Sequence, residues 1–239
     1  MRASTMRERV MMGMTKGWTR RAALAVLATG AMLGLLLPTA PHAAAKDSSD
    51  GAAQFIESLG QQAINELSDD GVPASERKQA FLDLLERGFA LDAISRFVLG
   101  RYWRVASEQQ QDKFQDVFKR IMAQRFLPLF RGYERDDFVV SGVGPDPTQP
   151  SLYAVRTMIS RPNQTNGEGP KAEVIWRVRP RDGDYEIVDV KAEGVSMAIT
   201  LRSEYNAAIQ QAGGNVGDLI AKLETNLAKG AYAPDIAGN

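Results

Sequence analysis

Hydrophobic side chains from residue 52 onward recur at the three- and four-residue spacing of one helix face. The first such stripe contains Phe55, Ile56, Leu59, Ala63, Ile64 and Leu67. This spacing predicts a helix over 52–67. A second helix is predicted to begin at a Ser75 cap and to end at Gly88, and a short third helix spans 91–99 and stops at Gly100.

The longest predicted helix begins at Ser107-Glu-Gln-Gln110, which has the form of a capping box. Its apolar stripe contains Phe114, Val117, Phe118, Ile121 and Met122. Pro128 has no N–H to donate and crowds the preceding turn, so this helix is predicted to kink or end there.

After residue 136 the pattern changes to the alternation of apolar and polar side chains that is typical of strands. Four strands are predicted, over 137–143, 152–160, 172–179 and 185–192. Asp182-Gly183 is a strong hairpin signal. Because the connections are short, we expect an antiparallel meander.

Two more helices, over 200–211 and 216–228, complete the pattern. Helices before and after one antiparallel sheet predict an α+β fold with the helices on one face of the sheet. We therefore expect a single domain over residues 46–230, followed by a flexible tail over 231–239.

The first 45 residues have the pattern of a cleavable signal peptide. Arg20 and Arg21 precede an apolar run of 16 residues, 22–37, and the small-residue stretch 43–45 follows. The run is shorter than the roughly 20 residues that a membrane span needs. We expect residues 1–45 to be removed and the protein to be periplasmic, exported by the Sec route or, given the paired arginines, by the twin-arginine route.

Removal of residues 1–45 changes the charge and the available chemistry. The full sequence has 29 basic and 29 acidic residues, and the remainder has 23 and 28, a net charge of −5. An acidic chain argues against nucleic acid as a partner, since phosphates need a basic surface. The only histidine, His42, is removed and cysteine is absent, which excludes thiol nucleophiles, histidine triads and Cys/His zinc sites. We expect no metal, no cofactor and no enzymatic activity.

One stretch near the C-terminus carries a family resemblance. Trp176-Arg-Val178, Asp182 to Val190 and Glu193-Gly-Val-Ser-Met197 resemble the core signature of the MlaC family of periplasmic phospholipid-binding proteins. The resemblance continues through the closing helices and, upstream, includes 97–100 and Trp103. It covers about residues 52–229, nearly the whole predicted domain.

The resemblance implies a four-stranded antiparallel sheet with helices packed on one face, enclosing an apolar cavity in an NTF2/cystatin-like arrangement. It implies a carrier that holds phospholipid tails and shuttles lipid within an Mla-type ABC transport system. The implied partners are an inner-membrane ABC transporter complex with its substrate-binding subunit and an outer-membrane lipoprotein complex. A sister branch, HpnM, is associated with hopanoids, so a hopanoid stays an alternative ligand.

Bulky or flexible apolar side chains are the predicted contacts of the lipid. They are Phe97, Trp103, Phe118, Met122, Phe126, Phe130, Val155, Trp176, Val190, Val195, Met197 and Leu201. Methionine suits an adaptable apolar surface. The same side chains also fill ordinary cores, and the sequence leaves that alternative open for each of them.

Two other classes of function stay open at this point. A carboxylate that faces an apolar cavity can have a raised pKa and act as a general base, and Asp92, Asp189 and Glu193 are the candidates. The alternative reading of each is a hydrogen-bonded structural carboxylate. A domain with a filled core could instead act as an adaptor that binds an envelope partner without carrying lipid.

Overall fold

A computed structural model of the chain describes residues 48–160 and 171–234. The predicted signal peptide, residues 1–45, and positions 235–239 of the predicted tail lie outside the described residues. The proposed domain boundaries therefore stay predictions. Within the described ranges, no helix combines the length and the apolar character that crossing a membrane requires.

Six α-helices are found in the described part of the chain. They are α1 (Ser49–Leu67), α2 (Ala74–Gly88), α3 (Leu91–Leu99), α4 (Glu108–Phe126), α5 (Met197–Gln211) and α6 (Val216–Ala228). Short 3-10 helices occupy Gly100–Arg104, Leu127–Phe130 and Arg135–Asp137. The six predicted helices therefore all form, with boundaries that differ by a few residues.

The described residues form one sheet of five strands, which lie in the order in which they occur in the sequence. They are β1 (Phe138–Pro145), β2 (Tyr153–Ile159), β3 (Ala172–Arg181), β4 (Asp184–Ala192) and β5 (Val195–Ser196). All neighbouring pairs are antiparallel, as the meander prediction requires. The prediction of four strands was wrong by one, because the two residues of β5 are too few to show any alternation.

Both hairpin turns around β4 use backbone conformations of the left-handed region. Asp182 and Gly183 have φ of 49° and 79°, and Glu193 and Gly194 have φ of 50° and 82°. Two consecutive residues of positive φ match the twist of antiparallel strands. The second turn folds β5 back onto β4, and the chain then enters α5 directly.

Capping explains where several helices begin. The predicted capping box of α4 is present: Ser107 Oγ accepts from the Gln110 amide at 3.2 Å, and the Ser107 amide donates to Gln110 Oε1 at 3.0 Å. Helix α5 begins three residues earlier than predicted, because Ser196 Oγ accepts the Ile199 amide at 3.2 Å. Helix α2 begins after Pro73 rather than at Ser75, and the Pro73 carbonyl accepts from the first turn.

The ends of two helices show different uses of special residues. Helix α4 ends at Phe126 and passes into the 3-10 helix that contains Pro128, as predicted. Gly88 ends α2, but the residue after it is extended and Gly88 itself is buried. A Cβ atom on Gly88 would lie 2.7 Å from Leu59 Cδ2. Gly88 is therefore needed for the close approach of α2 to α1.

The helices pack on one face of the sheet, which we call the inner face. Side chains of Val155, Trp176, Val178, Ile187 and Val190 occupy paired positions on this face. Helix α1 packs against β1, β2 and β3, while α2, α3 and α5 contact β4. A larger core lies among the helices, around Phe114 and Ile209, and a smaller core lies between α1 and the inner face.

Candidate functional site

An apolar pocket of about 420 Å³ lies between the inner face and helices α1 to α5. The helices contribute Ile56, Leu59, Leu84, Leu85, Phe118 and Met122, among others. The sheet contributes Phe138, Ile159, Val174, Trp176, Val190 and Ala192. The volume lies within the roughly 300–1,000 Å³ of small-molecule pockets.

The lining residues that reach solvent gather at one end of the sheet. Phe138 pairs with Ile159 and Val174 pairs with Ala192, so the start of β1 and β3 and the end of β2 and β4 meet there. Beside them, the 3-10 helix Leu127–Phe130 leaves Leu129 46% exposed. The deep wall, by contrast, consists of fully buried helix residues such as Phe118. The pocket therefore meets solvent at this end of the sheet.

Helix α1 approaches the mouth closely at a glycine. The ring of Phe138 lies where a Cβ atom on Gly60 would stand. Both residues line the pocket. Gly60 thus lets the first strand and the first helix close this side of the pocket.

Among the described residues that line the pocket, Asp189 alone carries a charge. Its side chain is fully engaged. Oδ2 accepts from Ser196 Oγ at 2.7 Å, and Oδ1 accepts the amides of Ala198 at 3.0 Å and Val190 at 2.9 Å. Ser196 caps α5 and Ala198 lies in its first turn. The Asp189 carboxylate therefore fixes the start of the helix that contributes Met197 and Leu201 to the pocket wall.

Asp189 also contacts a buried ion-pair network that contains Arg177 and Asp146. Arg177 Nη1 lies 3.7 Å from Asp189 Oδ2, and Arg177 Nε donates to Asp146 Oδ2 at 2.8 Å. Burial alone would raise the pKa of Asp146, but hydrogen bonds from Arg177, Thr148 and two backbone amides outweigh it and hold that pKa well below its ordinary value. Arg177 therefore has carboxylate partners within the protein.

A comparison with protein families identifies this architecture. The sequence model of the MlaC protein family matches residues 57–225, which span α1 to α6. The chain belongs to the MlaC family. The resemblance seen in the signature around β4 and α5 is thereby confirmed over most of the chain.

A solved structure has the same fold at low sequence identity. It is a phospholipid-binding protein from Ralstonia solanacearum, determined in complex with a phospholipid. The two chains are 19% identical, and the match has a TM-score of 0.59. It covers 75% of this chain and 98% of the other. The match shows that this chain shares the fold of that protein.

The structure places eight of the twelve predicted lipid contacts on the pocket wall. They are Phe118, Met122, Phe126, Phe130, Trp176, Val190, Met197 and Leu201. They come from α4, the following 3-10 helix, β3, β4 and α5, which are distant in sequence. That they contact lipid stays a prediction for this member of the MlaC family.

The other four predicted contacts lie outside the pocket wall. Phe97 is 41% exposed beneath Arg202, and Val195 is 59% exposed in β5. Trp103 is buried in the core among the helices, and Val155 is fully buried in the core between α1 and the sheet. An apolar residue in the family signature can thus lie on the surface or in packed core.

The first two helices contribute pocket residues that the sequence did not single out. Ile56, Leu59, Ala63, Leu84 and Phe89 all line the pocket. Their helical spacing was visible, but it predicts only a face turned toward the interior. Distinguishing pocket from core requires knowing which element stands opposite.

The three carboxylates considered as general bases lie in different surroundings. Asp189 is a structural carboxylate bonded to α5, Asp92 Oδ1 accepts from Gln115 Nε2 at 3.1 Å, and Glu193 is exposed in the turn before β5. Only Asp189 borders the pocket. The described residues contain no group of three or more His, Cys, Asp or Glu side chains placed to hold a metal ion.

Proposed function

We propose that this protein is a non-enzymatic carrier that holds the acyl tails of a phospholipid in the apolar pocket. The observation that carries the proposal is the pocket itself: about 420 Å³ bordered by aliphatic and aromatic side chains, with one charged residue among the lining residues that the structure describes. That residue, Asp189, has its carboxylate bonded to protein donors. An acyl chain would meet no unpaired charge there.

The energetics of a carrier favour such a wall. Each methylene moved from water to an apolar surrounding gains about 0.8 kcal/mol, so a sixteen-carbon tail gains on the order of 12 kcal/mol. A bilayer interior offers the same gain. The free energy of placing a tail in the pocket therefore needs only to match that of placing it in the bilayer. Tighter binding through polar contacts would hinder delivery.

Membership of the MlaC family and the phospholipid bound by the R. solanacearum protein support a phospholipid as the ligand. In this proposal the sheet and helices form an NTF2/cystatin-like cavity, with the tails inside and the head group at the mouth near Leu129 and Ala192. The eight pocket residues predicted from the sequence contact the tails.

The proposal includes a place for the carrier in the cell. The protein is exported to the periplasm after removal of residues 1–45. There it shuttles lipid between an inner-membrane ABC transporter complex, with its substrate-binding subunit, and an outer-membrane lipoprotein complex. The resemblance of the signature residues to the family supports these partners.

The test is the lipid content of protein purified from cells without detergent. The protein is denatured and extracted, and the extract is analysed by mass spectrometry. We expect about one phospholipid per protein. A hopanoid in its place would assign the chain to the hopanoid-carrying alternative. Protein that is empty and takes up no lipid from vesicles would contradict the carrier and favour the adaptor.

A further inference from the structure

An exposed cluster of arginines and apolar side chains lies outside the pocket. It combines the 3-10 helix Gly100–Arg104 and the end of α3 with the first turns of α5. We call it the arginine surface, and its members are Arg96, Arg101, Arg104, Arg202, Phe97 and Ile199. Phe97 is 41% exposed and Ile199 is 63% exposed.

Contacts join the three elements that carry these residues: Arg202 of α5 lies against Phe97 and Gly100, and Arg96 of α3 lies over Trp103 of the 3-10 helix. The guanidinium of Arg202 lies 4.7 Å from the centre of the Phe97 ring, and Ile199 is three residues before Arg202 on the same helix face. Arg101 and Arg104 are three residues apart in a 3-10 helix, where such side chains lie one above the other. Two flanking valines, Val105 and Val195, are also exposed.

The four arginines have no ion pair among the described residues, although most other arginines of that part of the chain do. Three of them lie over aromatic rings instead: Arg96 over Trp103, Arg101 over Tyr102 and Arg202 over Phe97. The nearest acidic residues in sequence are Asp92, four residues before Arg96 on α3, Glu108, four residues after Arg104, and Glu204, two residues after Arg202. Asp92 accepts from Gln115 and Glu204 pairs with Arg125, so neither forms an ion pair with the four arginines. The surface is thus a concentration of positive charge on a predicted mature chain of net charge −5.

The arginine surface adjoins the pocket through α5. Met197 and Leu201 line the pocket, while Ile199 and Arg202 lie on the arginine surface. A turn of helix rises only about 5.4 Å. A partner bound to this surface would therefore lie next to the helix that forms one wall of the pocket.

We propose that the arginine surface binds the surface of a bilayer that contains anionic lipid. The inference deepens the proposed function and rests on it, since it assigns the face with which the carrier approaches the membranes that hold its partner complexes. An acidic protein would pair with the arginines but would also set carboxylates against Phe97 and Ile199. An anionic bilayer offers phosphates to the arginines and an apolar layer just beneath them for the apolar side chains.

Binding of this kind is weak and sensitive to salt, which suits a carrier that must leave again. Each arginine close to an anionic bilayer strengthens binding by roughly fivefold. Salt screens the attraction between exposed charges. The binding should therefore be measurable at low ionic strength and should fall as salt is added.

The test is flotation of the purified protein with vesicles of phosphatidylcholine, prepared with and without phosphatidylglycerol. We expect binding only to vesicles that contain phosphatidylglycerol. The double variant Arg101→Gln/Arg104→Gln should bind about 25-fold more weakly, from the loss of two charges. The matched control is Lys78→Gln/Arg87→Gln, which removes two exposed charges from α2 and should bind as the unchanged protein does.

A second variant and a second readout separate the possible outcomes. Ile199→Ser should also weaken binding, since it removes an exposed apolar side chain without changing the charge. Equal binding by the arginine variant and the control would overturn the proposal. So would binding only to vesicles that carry the transporter complex, which would assign the surface to a protein partner.

Lipid content distinguishes this proposal from the carrier function. The arginine variant should contain as much lipid as the unchanged protein, because its substitutions lie outside the pocket. Unchanged protein that is empty on extraction and takes up no lipid from vesicles contradicts the carrier, whether or not it floats with the vesicles. Lipid-loaded protein that does not bind anionic vesicles contradicts only the proposed role of the arginine surface.

Discussion

Two apolar regions of this molecule use the same kinds of side chain for different ends. In the core among the helices, Phe114 and Ile209 are fully buried, and the Tyr205 ring packs edge-on against Phe114 at 5.6 Å. On the pocket wall, Phe126 and Met197 border open volume. What differs is the element opposite, because α6 covers one part of α4 while the sheet stands away from the other. Tertiary structure thus decides whether an apolar side chain fills the core or lines the pocket.

Placing a charge in the pocket is the change with the largest expected effect on this comparison. Met197→Asp should abolish lipid retention, because a carboxylate in an apolar pocket loses its hydration without gaining a partner. The sequence predicts the same loss for Val195→Asp, but Val195 is 59% exposed and serves as the matched control. Lipid per protein, measured by mass spectrometry, should fall in the first variant alone. Full loading of both would place Met197 outside the lipid site.

Truncating one phenylalanine in each region compares their packing directly. Phe114→Ala should lower the free energy of unfolding by about 3–5 kcal/mol, since it leaves a cavity in a filled core. Phe126→Ala should cost only about 1 kcal/mol, because this half-buried ring already borders open volume. Denaturant unfolding of lipid-free protein measures both. Equal losses would mean that the pocket wall is packed as tightly as the core.

Substitution of Asp189, the one charged residue in the described part of the pocket wall, tests whether this carboxylate serves structure or chemistry. Asp189→Asn should lower the free energy of unfolding by about 2 kcal/mol, because it weakens charged hydrogen bonds to the start of α5. Glu193→Gln, in the exposed turn nearby, should change it by less than about 0.5 kcal/mol. A stable Asp189→Asn variant would instead leave this carboxylate free for a role in the pocket.

The smallest effect concerns the pH dependence of the ion pair behind the pocket wall. The folded-state pKa of Asp146 lies below its ordinary value of about 3.9, so its contribution to stability is present above about pH 4. That contribution is lost as the pH falls toward the folded-state pKa. Asp146→Asn should therefore be less stable at neutral pH and lose less stability between pH 5 and pH 2, measured by denaturant unfolding. An identical loss of stability between pH 5 and pH 2 in both proteins would contradict the lowered pKa of Asp146.

The sequence predicted the helices and the four longer strands because their periodicity is local. Short-range signals also predicted the Ser107 capping box and the Asp182-Gly183 turn correctly. Strand β5 was missed, since its two residues form a strand only by pairing with Lys191 and Ala192.

The site was predicted less completely, for a physical reason. Phe97 and Trp103 are bulky apolar residues of the kind expected on a pocket wall, yet Phe97 lies on the surface and Trp103 in the core. Leu59 and Phe89 have ordinary core spacing, yet they line the pocket. Empty volume is a property of how distant elements pack, and no local pattern records it.

The pairing of Phe89 with Ile187 has a consequence for how the chain folds. These residues form a parallel bridge between the end of α2 and β4, and the Ala90 amide donates to the Ile187 carbonyl at 2.9 Å. Helices α3 and α4 and strands β1, β2 and β3 lie between them in sequence. Forming such a distant contact carries a large entropic cost of loop closure and slows folding. The pocket can therefore close only after β4 has been synthesised and, if the protein is exported unfolded, only after β4 has crossed the membrane.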